Sequence, residues 1–283
     1  MAATPMPIPV APLAQAPVID GNLGEWGKDG WRKVQVKPAV DKADRSRFGL
    51  EGEDRNFTGI VVVEIKAGVA AGRFYLAVRW PDGEEDKQYK GWEWSGGRYV
   101  ESKKREDMFA VRFHMDGDFE PTMLSSKAYR VDVWLWSAAR TNPLGLAEDM
   151  MHTVSTKEIE DAAEYAVQGI GTVYIKKQRD SGAPLYKVTR PPKEKGADHL
   201  PSIELAGNVG GSIADVSAKG VWKNGYWNLE LGRALVTNNA DDLALKAGQK
   251  VLGQIAVFNR SSDEHKSVSE HLLFDFSAIK PIR

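Results

Sequence analysis

The side chains able to do metal or redox chemistry are few. The chain of 283 residues has 5 histidines, 7 methionines and no cysteine. Without thiols there is no disulfide, thiolate zinc, iron–sulfur cluster, thioether-linked haem or cysteine nucleophile. Histidine stands beside methionine or lysine at three places: His114-Met115, Met151-His152 and His265-Lys266. The first opens His114-Met115-Asp116-Gly117-Asp118, but two aspartates do not make a calcium loop, so a turn is the simpler account. Met115 alternates with Phe109, Val111 and Phe113, which marks it for the core. Met150-Met151-His152 has the look of a metal or haem site, but is expected to pack a loop against the body. No H-E-x-x-H, G-x-S-x-G, Walker A or strand-following G-x-G-x-x-G is present, and no carboxylate pair stands out as a glycosidase pair.

Charge narrows the partners. Lys plus Arg number 38 and Asp plus Glu 39, a net charge of -1, so no basic excess exists to grip nucleic acid. At 42% hydrophobic and 27% charged, the composition is that of a soluble globular fold. No run of 18 apolar residues predicts a membrane span.

The elements that must hold these residues read as strands. Apolar and polar residues alternate over 59–66, 73–80, 108–115, 130–137, 172–177, 226–231, 251–259 and 267–276. One helix is expected at 155–167, with Ser155 or Thr156 as its cap. Many strands and few, short helices predict an all-β antiparallel sandwich with long decorated loops at 40–57, 82–104 and 178–200. Five prolines between Pro5 and Pro17 predict an extended Pro-rich arm over 1–16, ahead of a single domain over 17–283. In Pro17–Trp31, Asp20-Gly21 makes a turn and Trp26 plugs the end of a sandwich.

Residues 131–149 read VDVWLWSAARTNPLGLAED. The run resembles the haem-binding domains of the ethylbenzene dehydrogenase γ-subunit family, whose members include the γ subunits of dimethylsulfide dehydrogenase, selenate reductase and chlorate reductase. Val131, Asp132, Val133, Trp134, Trp136, Ala138, Arg140, Thr141, Pro143, Gly145, Ala147 and Asp149 match the family pattern V-[DN]-[IV]-W-x-W-[KS]-A and its A-R-T-x-P-x-G-x-A-x-D extension. The resemblance touches KREDMFAVRFHMDG, KNGYWNLELGRAL and the stretch from Gly248 to Phe276, and leaves about 150–219 unmatched. The segment from Pro17 is similar to the opening of family 9 carbohydrate-binding modules.

The resemblance implies a non-covalent b-type haem held inside the two-layered sandwich between two axial side chains. A methionine shortly before the tryptophan strand matches Met123, and a lysine in the last hairpin matches Lys266. Parity speaks for Lys266, since Val268, Leu272, Phe274 and Phe276 share its alternation. His265 would share a solvent face with Ser267, Ser269, His271 and Asp275. A bulge would swap the faces, and a histidine ligates without shedding a proton, so His265 stays an alternative. Arg140 either forks onto a haem propionate or pairs with Asp149 or Glu148. Trp134 and Trp136 stack on a porphyrin or in the core. Thr122 and Leu124 depart from the family's Cys- and Gly-containing context around the methionine, which weakens Met123.

The implied function is single-electron transfer by a periplasmic, exported subunit that turns over no substrate itself. Its partners would be a molybdenum oxidoreductase or a c-type cytochrome. The competing expectation is a haem-free carbohydrate-binding or adhesion sandwich, with Trp92 and Trp94 as a stacking platform.

Overall fold

The computed structural model describes residues 4–48, 50, 52–262 and 265–281. Nineteen strands follow one another. The first nine are β1 (Met6–Pro12), β2 (Arg32–Pro38), β3 (Val61–Ala70), β4 (Arg73–Pro81), β5 (Trp92–Ser95), β6 (Arg98–Glu101), β7 (Met108–Gly117), β8 (Tyr129–Ser137) and β9 (Glu148–Ser155). Then come β10 (Ala163–Val167), β11 (Gly171–Arg179), β12 (Tyr186–Val188), β13 (His199–Leu200), β14 (Ile203–Leu205) and β15 (Ser217–Lys223). The last are β16 (Tyr226–Ala234), β17 (Lys250–Phe258), β18 (Ser267–Val268) and β19 (Leu272–Asp275). Among the described residues the only helical pieces are short 3-10 turns, and none is long and apolar enough to cross a membrane.

Two largely antiparallel layers face each other, as the alternation predicts. One runs β10-β11-β9-β8-β7-β17, and the other β2-β3-β4-β16-β15. Strand β18 bonds both β17 and β2, so the layers join at that edge. Inward residues of both layers form one core. Trp80, Trp134, Trp136 and Trp227 are fully buried there, with Trp136 and Trp227 rings 4.9 Å apart edge to face. Phe74, Phe113, Phe274 and Phe276 fill the remainder. Gly220 makes room for Trp136, because a Cβ there would stand 2.3 Å from the indole ring. Asn142 ties the pair, accepting from Trp136 Nε1 at 3.0 Å and from Gly220 N at 2.8 Å.

Three expectations change. The Pro-rich arm is strand β1 from Met6 to Pro12, paired in parallel first with β19 and then with β3. Ile8 and Val10 are fully buried while Pro7 and Pro9 face out, so alternation overrides the polyproline habit. Residues 1–3 lie outside the described residues. The helix at 155–167 is instead the end of β9, a turn, and β10, which forms a hairpin with β11. Asp161 at φ 59° cannot continue a right-handed helix, and Gly169 and Gly171 at φ 81° and 101° close the hairpin. Met115 is only partly buried, because the β7–β8 register shifts between His114 and Asp116. His114 Nε2 lies 2.9 Å from the Gly117 oxygen, in keeping with a turn there.

Candidate functional site

A cavity of about 880 Å³ lies on the outer face of the β11-β9-β8-β7-β17 layer, under loops. Pleating decides which residues reach it. On β8, Val133 and Leu135 line it, while Asp132, Trp134 and Trp136 point into the inter-sheet core. On β7 the wall is Met108, Ala110 and Arg112, and on β9 it is Glu148, Met150 and His152. Ala256 and Phe258 of β17, with Val268, close another side. Its floor is thus apolar, with a few polar groups, in the size range of cofactor pockets.

Met123, Lys266 and Arg140 all line this cavity. The loop bearing Met123 is clamped from below. Arg112 donates from Nη2 to the Pro121 and Glu120 oxygens at 2.7 and 2.9 Å, and Gln254 Nε2 donates to Pro121 O at 3.0 Å. Gln254 also donates to Ser269 O at 2.6 Å, so one amide ties the Met123 loop to the Lys266 segment. Lys266 is fixed through its backbone oxygen, which accepts from Ala39 N and Asn56 Nδ2, both at 2.9 Å. Its ammonium sits 5.7 Å from the Phe258 ring centre.

The parity of Lys266 has a different origin from the one expected. Gly253 pairs with Leu272 and Ala256 with Val268, so three residues on one strand oppose two on the other. That extra residue flips the faces. Lys266 and Val268 look into the cavity, while Leu272 and Phe274 look into the core. Ser267 and Ser269, expected in solvent, are buried and hydrogen-bonded. His265 does not line the cavity. Its Nδ1 accepts from Arg55 N at 3.1 Å and lies 3.4 Å from Asp54 Oδ1.

Trp134 and Trp136, expected against the cofactor or in the core, are core residues: they sit on the opposite face of β8 from the cavity. Arg140 pairs with neither Asp149 nor Glu148. Its Nε donates to buried Glu106, its Nη1 to Tyr186 Oη at 3.0 Å, and it lies 4.5 Å over the Tyr89 ring. Glu148 pairs with Arg179 at 2.7 Å, and burial still pushes its carboxyl up. Trp92 and Trp94 are half-buried in a side sheet of β13, β5 and β6, where Trp94 packs edge-on against Tyr99 at 4.9 Å.

Among the described residues the wall is cationic: seven Lys and Arg side chains line the cavity against two glutamates. Arg112 is buried with neutral partners only: Gln254, Tyr129 and two carbonyls. Among the described residues no carboxylate lies within ion-pair distance of it. Such a wall favours an anionic ligand with apolar bulk.

A family model described as ethylbenzene dehydrogenase matches residues 30–269. The chain belongs to the ethylbenzene dehydrogenase family. A search of the curated proteins finds no match. In this family member the matched span takes in every wall residue named above, including the unmatched-looking middle that supplies β9 to β11.

His152, set aside in the sequence as part of a loop packed on the body, lies on the cavity wall. It is buried, its Nε2 has no hydrogen-bond partner, and desolvation, then Lys177, Arg112 and Lys266, hold it neutral well below the usual 6.5. The alternation of Glu148, Met150 and His152 was a strand signal in what was read as a loop. Arg112 and Gln254 carried no motif; only the fold brings them under Met123.

Proposed function

We propose that this protein binds a b-type haem in the outer-face cavity and moves single electrons. The observation that carries the reading is that Met123 and Lys266, from distant parts of the chain, line one cofactor-sized cavity with a cationic, apolar wall. The donor set suits low-spin iron: a soft thioether and a nitrogen base. When bound, the haem supplies a one-electron Fe(III)/Fe(II) couple.

The protein's share is placement and electrostatics. Met123 would help hold the haem from a loop that Arg112 and Gln254 keep in register. Lys266 would hold it as well, and would have to give up its proton to do so. Among the wall cations Arg140 suits a propionate, since a guanidinium forks onto a carboxylate, whereas the Arg112 nitrogens are already engaged with Gln254, Tyr129 and the Glu120 and Pro121 oxygens. Glu106 and Tyr186 would keep Arg140 in place while it does so. Val133, Leu135, Met150 and Phe258 would exclude water from the bound haem. We further propose a periplasmic setting, with a molybdenum oxidoreductase on one side and a c-type cytochrome on the other.

Haem titration of the purified chain tests this. One equivalent of haem should give a Soret band and, after dithionite, a sharp low-spin α band. A colourless protein that binds glycans instead would favour a carbohydrate-binding role.

A further inference from the structure

Behind the cavity, on the opposite face of β8 and β9, five aspartates meet one guanidinium. Arg233 of β16 reaches Asp132 at 2.6 Å, Asp149 at 2.7 Å and Asp242 at 3.1 Å. Asp215 joins them through Asn239, whose amide donates to Asp215 and Asp242 at 3.3 and 3.1 Å. Asp180 is different. It is 4% exposed, and neither of its oxygens has a hydrogen-bond partner. The groups facing it are carboxylates too, those of Asp241 and Asp242, and burial beside them pushes its carboxyl up to about 8, so that without a cation it keeps a proton shared toward Asp242. Carboxylate oxygens of Asp149, Asp180 and Asp242 all lie within 4.8 Å of one another.

Arg233 cannot account for this arrangement. Both of its terminal nitrogens are already committed to Asp132, Asp149, Asp242 and the Leu243 oxygen. A buried carboxyl without counter-charge either keeps its proton or exchanges it for a cation. Asp132 and Asp215 each leave a further buried oxygen without a partner. Hard oxygen donors at this spacing, with charge in excess, are what a divalent cation of the calcium type takes. A shallow depression lined by Met151, Ser181, Asn239 and Asp241 opens beside the cluster and gives an ion a way in.

We propose that Asp149, Asp180 and Asp242 bind a calcium-class divalent cation that pins the two layers together. The ligands come from the start of β9, from just past the end of β11 and from the loop after β16, so the ion would tie one layer to the other where β9 begins and β16 ends. The site stands apart from the haem reading and needs no cofactor.

The test uses the full chain without haem, stripped by EGTA. Millimolar CaCl2 should raise the melting temperature by roughly 5 °C or more over EGTA, as expected for a ligand far above its Kd. Terbium should light up through tryptophan, since Trp134 lies 5.0 Å from Arg233 at the cluster, and calcium should quench that signal. Asp180→Asn should lose at least tenfold in calcium affinity by the same displacement, while Asp198→Asn on an exposed loop should not. Identical melting of the wild type in CaCl2, MgCl2 and EGTA, with no terbium signal, overturns the proposal. So does an Asp180→Asn chain that binds calcium as the wild type does.

Discussion

At the residue scale, Met123 and Lys266 make separable demands. Thioether sulfur stabilises ferrous over ferric iron, so Met123→Ala is expected to lower the reduction potential by at least ~60 mV, a tenfold step for one electron. Redox titration of the haem-loaded chain reads this directly. Lys266→Ala removes the nitrogen base, and is expected to shift the Soret band and weaken haem retention. His265→Ala should leave the band in place, because its ring is turned toward Asp54 and Arg55. His152 answers to pH. Its imidazole stays neutral in the folded chain, with Lys177, Arg112 and Lys266 around it, while the unfolded chain protonates near 6.5. Folded pKa below unfolded means stability is lost as pH falls below 6.5. One proton contributes at most about 1.4 kcal/mol per pH unit. Urea titrations of haem-free protein between neutral and mildly acid pH should show a shallower slope for His152→Gln than for the wild type.

At the element scale, the β7–β8 loop is held by Arg112, and its removal leaves the Gln254 and Glu120 oxygens without that donor, while Pro121 O keeps Gln254. Arg112→Leu is expected to destabilise the chain by about 2–4 kcal/mol in urea titration and to broaden the haem spectrum as Met123 loses its seat. Trp136→Ala should cost about 3–5 kcal/mol through the cavity left among Trp80, Trp227 and Gly220, while a haem-loaded Trp136→Phe keeps its Soret position. The strands were legible because one face of each is apolar, so the period of two survives in the sequence. The VDVWLW run announced a strand in the same way, yet not which of its faces meets the cavity. Both faces are apolar there: Val133 and Leu135 look out and the tryptophans look in. Period alone cannot separate two apolar faces. The β10 strand was hidden for a related reason, as its alternation is short and a helical spacing fits AEYAV equally well. The flip after Val268 rests on a single added residue, which no local pattern marks.

At the scale of the whole molecule, the sandwich and the site are adjacent but distinct: the space between the layers, where the resemblance put the haem, is filled by side chains, and the cavity lies on the outer face of one layer. The inter-sheet space is packed solid with tryptophan and phenylalanine, and stiffens the layer whose outer face carries the cavity. Strands β7, β8, β9 and β17 present the floor, and loops from several parts of the chain supply the walls, Met123 and Arg140 among them. An electron carrier needs such rigidity, since its ligands must not rearrange with the charge on the metal. The same layer ends in the aspartate cluster around Arg233, so a cation there would stiffen the floor from behind. The most direct test of the central claim is the ultraviolet–visible spectrum of haem-loaded protein before and after dithionite, recorded for the wild type, Met123→Ala and Lys266→Ala. The expected result is a low-spin b-type spectrum in the wild type that each substitution changes differently. A wild type that takes up no haem, or two variants whose spectra match it, would contradict the account.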